Sequence, residues 1–166
     1  MQQLLIPEKR AVLLEKKVLE ALSKRVGCSI EVRNGNEVII DGDALAEYDA
    51  SNVIKAFGRG FGIEDACKLL KEGYYFDSID MKPFFKNERQ IERIKARLIG
   101  KEGKAKTYIQ SVSGAVIAIY GNTISFVGTL DEITVAKAAI SVLIKGGTHS
   151  KAYTLMEKAR RRSEHG

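Results

Sequence analysis

Tryptophan is absent from this 166-residue chain, and proline, cysteine and histidine occur only twice each. Each shortage removes a class of function. Without Trp, and with six Phe and six Tyr that fall mostly in core or turn patterns, a broad aromatic platform for stacked bases is not expected. Cys28 and Cys67 share no framework spacing, so the sequence predicts free, buried thiols in a reducing cytosol rather than a disulfide scaffold. His149 and His165 build neither a metal set nor a nucleophile–base pair with either cysteine. Asp77, Asp80, Glu88 and Glu92 do not make a convincing metal-dependent nuclease set. No catalysis, no metal and no cofactor are therefore expected. No apolar run approaches the ~20 residues of a membrane span, and no charged-then-apolar leader opens the chain. The expectation is a cytoplasmic protein away from membranes.

What the chain has in excess is positive charge, and that excess is local. The net charge is +6. Between Lys82 and Lys106 nine Lys/Arg face only Glu88, Glu92 and Glu102, a surplus as large as that of the whole chain. The surplus surrounds the stretch Arg97-Leu98-Ile99-Gly100-Lys101-Glu102-Gly103-Lys104-Ala105-Lys106-Thr107-Tyr108-Ile109. Two glycines three apart permit a tight exposed turn and remove the Cβ atoms that would keep another chain at a distance. A helical pattern follows at once, and a helix start offers unpaired N–H groups and partial positive charge to an anion. Lys101 and Lys104 add full charges. The combination suits a sugar-phosphate backbone; a plain helix-turn-helix corner beside a solvated basic helix face is the competing reading.

Along the chain, Leu4-Leu5-Ile6-Pro7 reads as a short strand. A helix is expected to run unbroken from Glu8 to Val26 and to stop at Gly27. Cys28–Val32 and Glu37–Ile40 read as a hairpin about Asn34-Gly35-Asn36. Asp43 is expected to cap a helix carrying Leu45, Tyr48, Val53, Ile54 and Phe57. The order then repeats: a strand over Tyr74–Met81, a helix from Asn87 through Ile91, Ile94 and Leu98, the glycine corner, and a second helix. After them come a hairpin of Ala115–Ile119 with Thr123–Val127, and a helix from Asp131 stopped by Gly146-Gly147. Val26-Gly27-Cys28-Ser29-Ile30-Glu31-Val32 superposes on Ser113-Gly114-Ala115-Val116-Ile117-Ala118-Ile119, and Leu22 on Ile109. The glycine corner then falls on Leu13-Leu14-Glu15-Lys16, without glycine, so this copy is expected to lack the anion site.

Between the copies, Gly58-Arg59-Gly60-Phe61-Gly62 reads as a flexible turn, in which Arg59 either nears a phosphate or simply turns the chain, with Phe57 and Phe61 at an interdomain seam. The tail from Thr148 predicts a helix with Tyr153, Leu155 and Met156 on one side. It ends in Lys158-Ala159-Arg160-Arg161-Arg162, a nucleic-acid contact or a solubilising terminus.

The Gly-x-x-Gly corner, the small-Gly-small step Ser113-Gly114-Ala115 and the strand after it resemble the KH domain, whose loop clamps about four backbone nucleotides. The pattern departs from the usual one at Lys106, where an aliphatic residue is common. One strict and one degenerate copy, the Gly58-Arg59-Gly60-Phe61 link and Gly146-Gly147-Thr148-His149-Ser150-Lys151-Ala152-Tyr153 together resemble the archaeal counterpart of the partner-of-Nob family, which borders on the Krr-type assembly proteins.

The resemblance implies an α/β (α+β) architecture of tandem type I KH domains, each a three-stranded, mainly antiparallel sheet packed on helices. A degenerate copy would occupy 1–60, a connecting helix 61–73, the strict copy 74–147 and a basic helix 148–166. It implies a small-subunit assembly factor that binds single-stranded RNA near the 3′ end of small-subunit rRNA, and a monomer. The implied protein partners are the Nob-type endonuclease and the alpha subunit of translation initiation factor two. Carried over by position, Gly100, Lys101, Glu102 and Gly103 would hold the RNA backbone, with Arg97, Lys104, Lys106 and Thr107 beside them. Ile99, Ile109 and Ile117 would line a base groove, or in the last two cases serve as core. Arg59, Arg160, Arg161 and Arg162 are candidates for secondary RNA contacts. A scaffold for protein partners, or a KH module for mRNA or single-stranded DNA, remains the alternative.

Overall fold

The computed structural model describes residues 1–165; Gly166, the last residue of the expected basic tail, lies outside them. The chain divides between Glu72 and Gly73 into two compact units.

In the first unit β1 (Gln2–Leu5) is followed by α1 (Glu8–Ala11), α2 (Lys16–Val26), β2 (Ser29–Arg33), β3 (Glu37–Asp41), α3 (Ala44–Gly58) and the short α4 (Ile63–Ala66). Its sheet is antiparallel in the order β1-β3-β2, with Ile30 opposite Ile40. Asn34 and Gly35 both have positive φ (53° and 85°) in the three-residue turn 34–36 that joins β2 to β3, where Arg33 pairs with Glu37. The Asp43 side chain accepts from Ala46 N at 2.9 Å and caps α3.

Two expectations for this unit are corrected. The first helix is not continuous: it breaks at 12–15, which takes in three of the four positions, 13–16, that superpose on the glycine corner. Glu15 is extended (φ −68°, ψ 161°) and Leu14 turns into the core, while Val12 and Leu13 stay outside, so the apolar residues never formed one stripe. Arg10 fixes the short α1 by donating to Phe57 O (2.9 Å) and Phe61 O (2.6 Å) with its guanidinium over the Phe57 ring. Leu45 and Tyr48 are exposed, because the buried stripe of α3 runs through Ala46, Ala50, Val53, Ile54 and Phe57. Alanines hold the core side, which a search for large apolar residues misplaces.

The second unit carries β4 (Tyr75–Asp80), α5 (Glu88–Ile99), α6 (Lys104–Ser113), β5 (Val116–Tyr120), β6 (Thr123–Gly128), α7 (Leu130–Ile144) and α8 (His149–His165). Its antiparallel sheet runs β4-β6-β5, with Ile117 opposite Phe126. Leu98, Ile109, Ile124, Phe126, Leu143 and Met156 are fully buried, which joins α5, α6, the sheet, α7 and α8 in one core. Asn87 caps α5 by accepting from Gln90 N at 3.0 Å. Helix α7 starts ahead of Asp131, because Thr129 and Glu132 close a reciprocal cap: Thr129 N donates to Glu132 Oε1 (2.8 Å) and Glu132 N to Thr129 Oγ1 (3.2 Å). Helix α8 lies on α7 and α6 through Ala152 and Met156; Leu155, expected with them, points outward.

Cys28 and Cys67 are free and buried, and burial pushes both thiols up. Among the described residues no helix is long and apolar enough to cross a membrane.

Candidate nucleic-acid interface

The glycine corner joins α5 to α6, and each of its bends has a structural cause. At Gly100 the backbone takes φ 78°, ψ 171°, a conformation confined almost entirely to glycine. A Cβ there would stand 2.6 Å from Ala105 Cβ and 2.7 Å from Ala105 N, so the first turn of α6 packs directly on a bare Cα. Gly103, at φ 76°, has open space where its Cβ would be, and its N–H donates to Gly100 O at 3.1 Å. Between them Glu102 holds a left-handed conformation (φ 57°, ψ 26°), unusual for a residue with a side chain. Such strain costs on the order of 1 kcal/mol and collects at ligand clamps.

Helix α6 starts at Lys104 with no side-chain cap; the Lys104 N–H donates to Lys101 O, and the helix start turns partial positive charge toward the corner. Lys101, Glu102, Lys104 and Thr107 are exposed and Lys106 is half-buried. Among the described residues none of these three lysines makes an ion pair. A bare corner, a helix start and uncompensated cations therefore meet on one surface, an arrangement that attracts anions.

The remaining predicted residues separate. Of the apolar three, only Ile99 offers surface, at 37% exposed. Ile109 and Ile117, at 0% and 2%, sit in the core, because α6 turns that face onto the sheet. Arg97 does not face outward as a ligand group. Its guanidinium donates to Leu143 O (3.3 Å) and Gly147 O (2.6 Å) at the end of α7, and His149 Nε2 lies 2.9 Å from Arg97 O. Arg97 thus ties the corner to the end of α7. Arg97→Met is expected to lower stability by about 1–3 kcal/mol, since part-buried carbonyls lose their donors. Urea unfolding checks this, and the affinity of folded protein for a four-nucleotide RNA should stay within about twofold. A loss of RNA affinity without a loss of stability would return Arg97 to the ligand side.

Of the secondary candidates, Arg59 is half-buried and not free, and Arg160 pairs with Glu164 at 3.1 Å. Arg161 and Arg162 are exposed. In the first unit the start of α2 is present, but Leu13 and Leu14 replace bare backbone, and the acidic Glu15 stands at the N-cap position without a side-chain cap hydrogen bond.

Sequence reasoning missed two neighbours of the corner. Gln110 Oε1 accepts from Ile117 N at 2.8 Å, on the edge of β5 away from β6. Tyr108 donates to Glu157 and meets Tyr153 edge-on at 4.7 Å, tying α6 to α8; the bond to Glu157, with burial, pushes the phenol up. The pair 49 residues apart leaves no periodic trace.

Comparison with known proteins agrees with this geometry. Residues 75–161 match a model of the second KH domain of PNO1, described as a eukaryotic-type KH domain (KH-domain type I). The chain is 37% identical over 165 residues to the KH domain-containing protein MJ0443 of Methanocaldococcus jannaschii, covering 95% of this chain and 73% of that one. It is 34% identical over 115 residues to the RNA-binding protein PNO1 of Oryzias latipes, covering 67% of this chain and 46% of that relative. Among solved structures, the a/eIF2alpha-aDim2p-rRNA complex from Pyrococcus horikoshii OT3 contains a chain that matches at TM-score 0.87 and 32% identity, over 97% of this chain and 94% of that one.

Proposed function

We propose, since this chain belongs to the PNO1 family of KH-domain proteins, that it binds single-stranded RNA as an assembly factor of the small ribosomal subunit. Its target in this reading lies near the 3′ end of small-subunit rRNA. The single observation that carries the proposal is the Gly100–Gly103 corner with exposed Lys101 and Glu102, set at the start of α6 with Lys101 and Lys104 in no ion pair among the described residues. Support for a ribosomal target comes from the Pyrococcus horikoshii neighbour, which was solved with rRNA and a/eIF2alpha. In the same reading the alpha subunit of initiation factor two and a Nob-type endonuclease are partners, and the protein is a cytoplasmic monomer without catalytic activity. Residues 74–147 form the RNA-binding KH copy. Residues 1–60 form a degenerate one that presents a surface to proteins, as the loss of the glycines and the Glu15 carboxylate favour.

The physical mechanism is binding alone. Phosphates meet the α6 amides and the lysine charges, while unstacked bases lie over Ile99 and the outer edge of β5. Affinity for a pyrimidine-rich single strand is expected to fall linearly with salt on logarithmic axes. Three neutralised phosphates give a slope of about −2, measured by fluorescence anisotropy. Binding that is indifferent to salt would remove the phosphate clamp, and a Mg²⁺-dependent cleavage assay with cleavage of the strand would remove the non-enzymatic part.

A further inference from the structure

Phe84 leaves 60% of its surface exposed, in a unit whose other phenylalanines are covered or half-covered. It ends the short turn Lys82–Phe84 that leads from β4 into α5, with Pro83 inside the turn. Its neighbour Phe85 packs against the core, so the chain anchors one ring and displays the next. Beside the displayed ring is a cleft of about 450 Å³, walled by Phe84, Phe85, Gln90, Arg93, Arg97 and Lys145. Lys82, Lys86, Arg89, Arg93 and Lys145 are exposed and, among the described residues, form no ion pair. The nearby acids are spoken for in part: Glu92 pairs with Lys95, and Glu88 reaches Asn122.

Position joins this cleft to the glycine corner. Gln90, Arg93 and Arg97 step by three and four residues along one face of α5, with Lys86 just before the helix and Lys101 just after it. That face runs the length of α5, whose 12 residues span about 18 Å. Arg97, in the last turn, is used internally; the exposed cations Arg93 and Lys101 lie on either side of it in the chain.

We propose that this cleft is a second contact for single-stranded RNA, in which a base stacks on Phe84 and the adjoining phosphates meet Arg93 and Lys86. A strand gripped at Gly100–Gly103 continues along α5 to reach it. The inference rests on the reading of the glycine corner as an RNA clamp. An exposed aromatic beside uncompensated cations is the chemistry of sequence-tolerant single-strand binding, and continuity with the corner favours RNA over an acidic peptide.

The test uses the full chain and two pyrimidine-rich RNAs, of four and of twelve nucleotides, by fluorescence anisotropy. Three variants accompany the wild type: Phe84→Ala with Arg93→Ala, Phe84→Leu alone, and the corner variant Lys101→Asp with Glu102→Asp. The first variant is expected to bind the twelve-nucleotide RNA about tenfold more weakly and the four-nucleotide RNA as the wild type does. Phe84→Leu keeps the apolar bulk without the aromatic face, and it is expected to lose several-fold on the longer strand only. Unchanged binding of the longer RNA by the first variant overturns the cleft, and leaves its exposed ring to a protein partner. Full affinity in Phe84→Leu overturns stacking. The corner reading fails separately, if the corner variant binds the four-nucleotide RNA as well as the wild type. Failure of either RNA to bind the wild type overturns both.

Discussion

Gly100→Ala is expected to destabilise the second unit by roughly 3 kcal/mol or more and to abolish RNA binding with it. Two costs combine. The backbone at φ 78°, ψ 171° is one that a side chain rarely tolerates. The added methyl would also stand 2.6 Å from Ala105 Cβ and 2.7 Å from Ala105 N, and Ala105 is itself 4% exposed. The obstacle is the backbone of α6, not the mobile end of a side chain, so relief requires moving the helix. Gly103→Ala is the control. It has the same sign of φ and no atom within 4 Å, so only the conformational cost of about 1–2 kcal/mol applies. Urea unfolding of the two variants measures the difference. Equal losses would mean that the close approach of Ala105 to Gly100 does not exist in solution.

The second large effect is on affinity. Lys101→Asp with Glu102→Asp is expected to weaken binding of a pyrimidine-rich single strand about 100-fold, roughly 2.7 kcal/mol, with unfolding unchanged within about 0.5 kcal/mol. One free cation is lost and an anion takes its place beside the α6 amides, so attraction for phosphate becomes repulsion at the point of closest approach. The fold should tolerate the change, because both positions are exposed. At φ 57° Asp is also the better residue, since it visits the left-handed region more readily than Glu. Retained affinity would place the RNA elsewhere on the molecule.

The corner itself was legible in the sequence because glycine announces backbone that other residues cannot adopt. The strands and hairpins were legible too, from their alternation and from Asn34-Gly35 and Gly121-Asn122. What escaped were features made by distance in the chain. Arg97 looked like one more cation in a basic run, yet its partners lie 46 and 50 residues away on carbonyls that carry no side-chain signal. The depth of Ile109 and Ile117 depends on how closely α6 meets the sheet, which periodicity does not measure. The break at 12–15 was hidden because four apolar or charged residues without glycine or proline gave no reason to stop a helix. Phe84 and Phe85 are adjacent and chemically alike, so only the turn decides which is buried.

Helix α8 is sewn to the corner from both sides: His149 reaches the carbonyl of Arg97, and Tyr108 reaches Glu157. The rigidity of the Gly100–Gly103 corner therefore depends on a helix far from it in the chain. Undocking of α8 would break both ties at once and loosen the two flanks of the corner together.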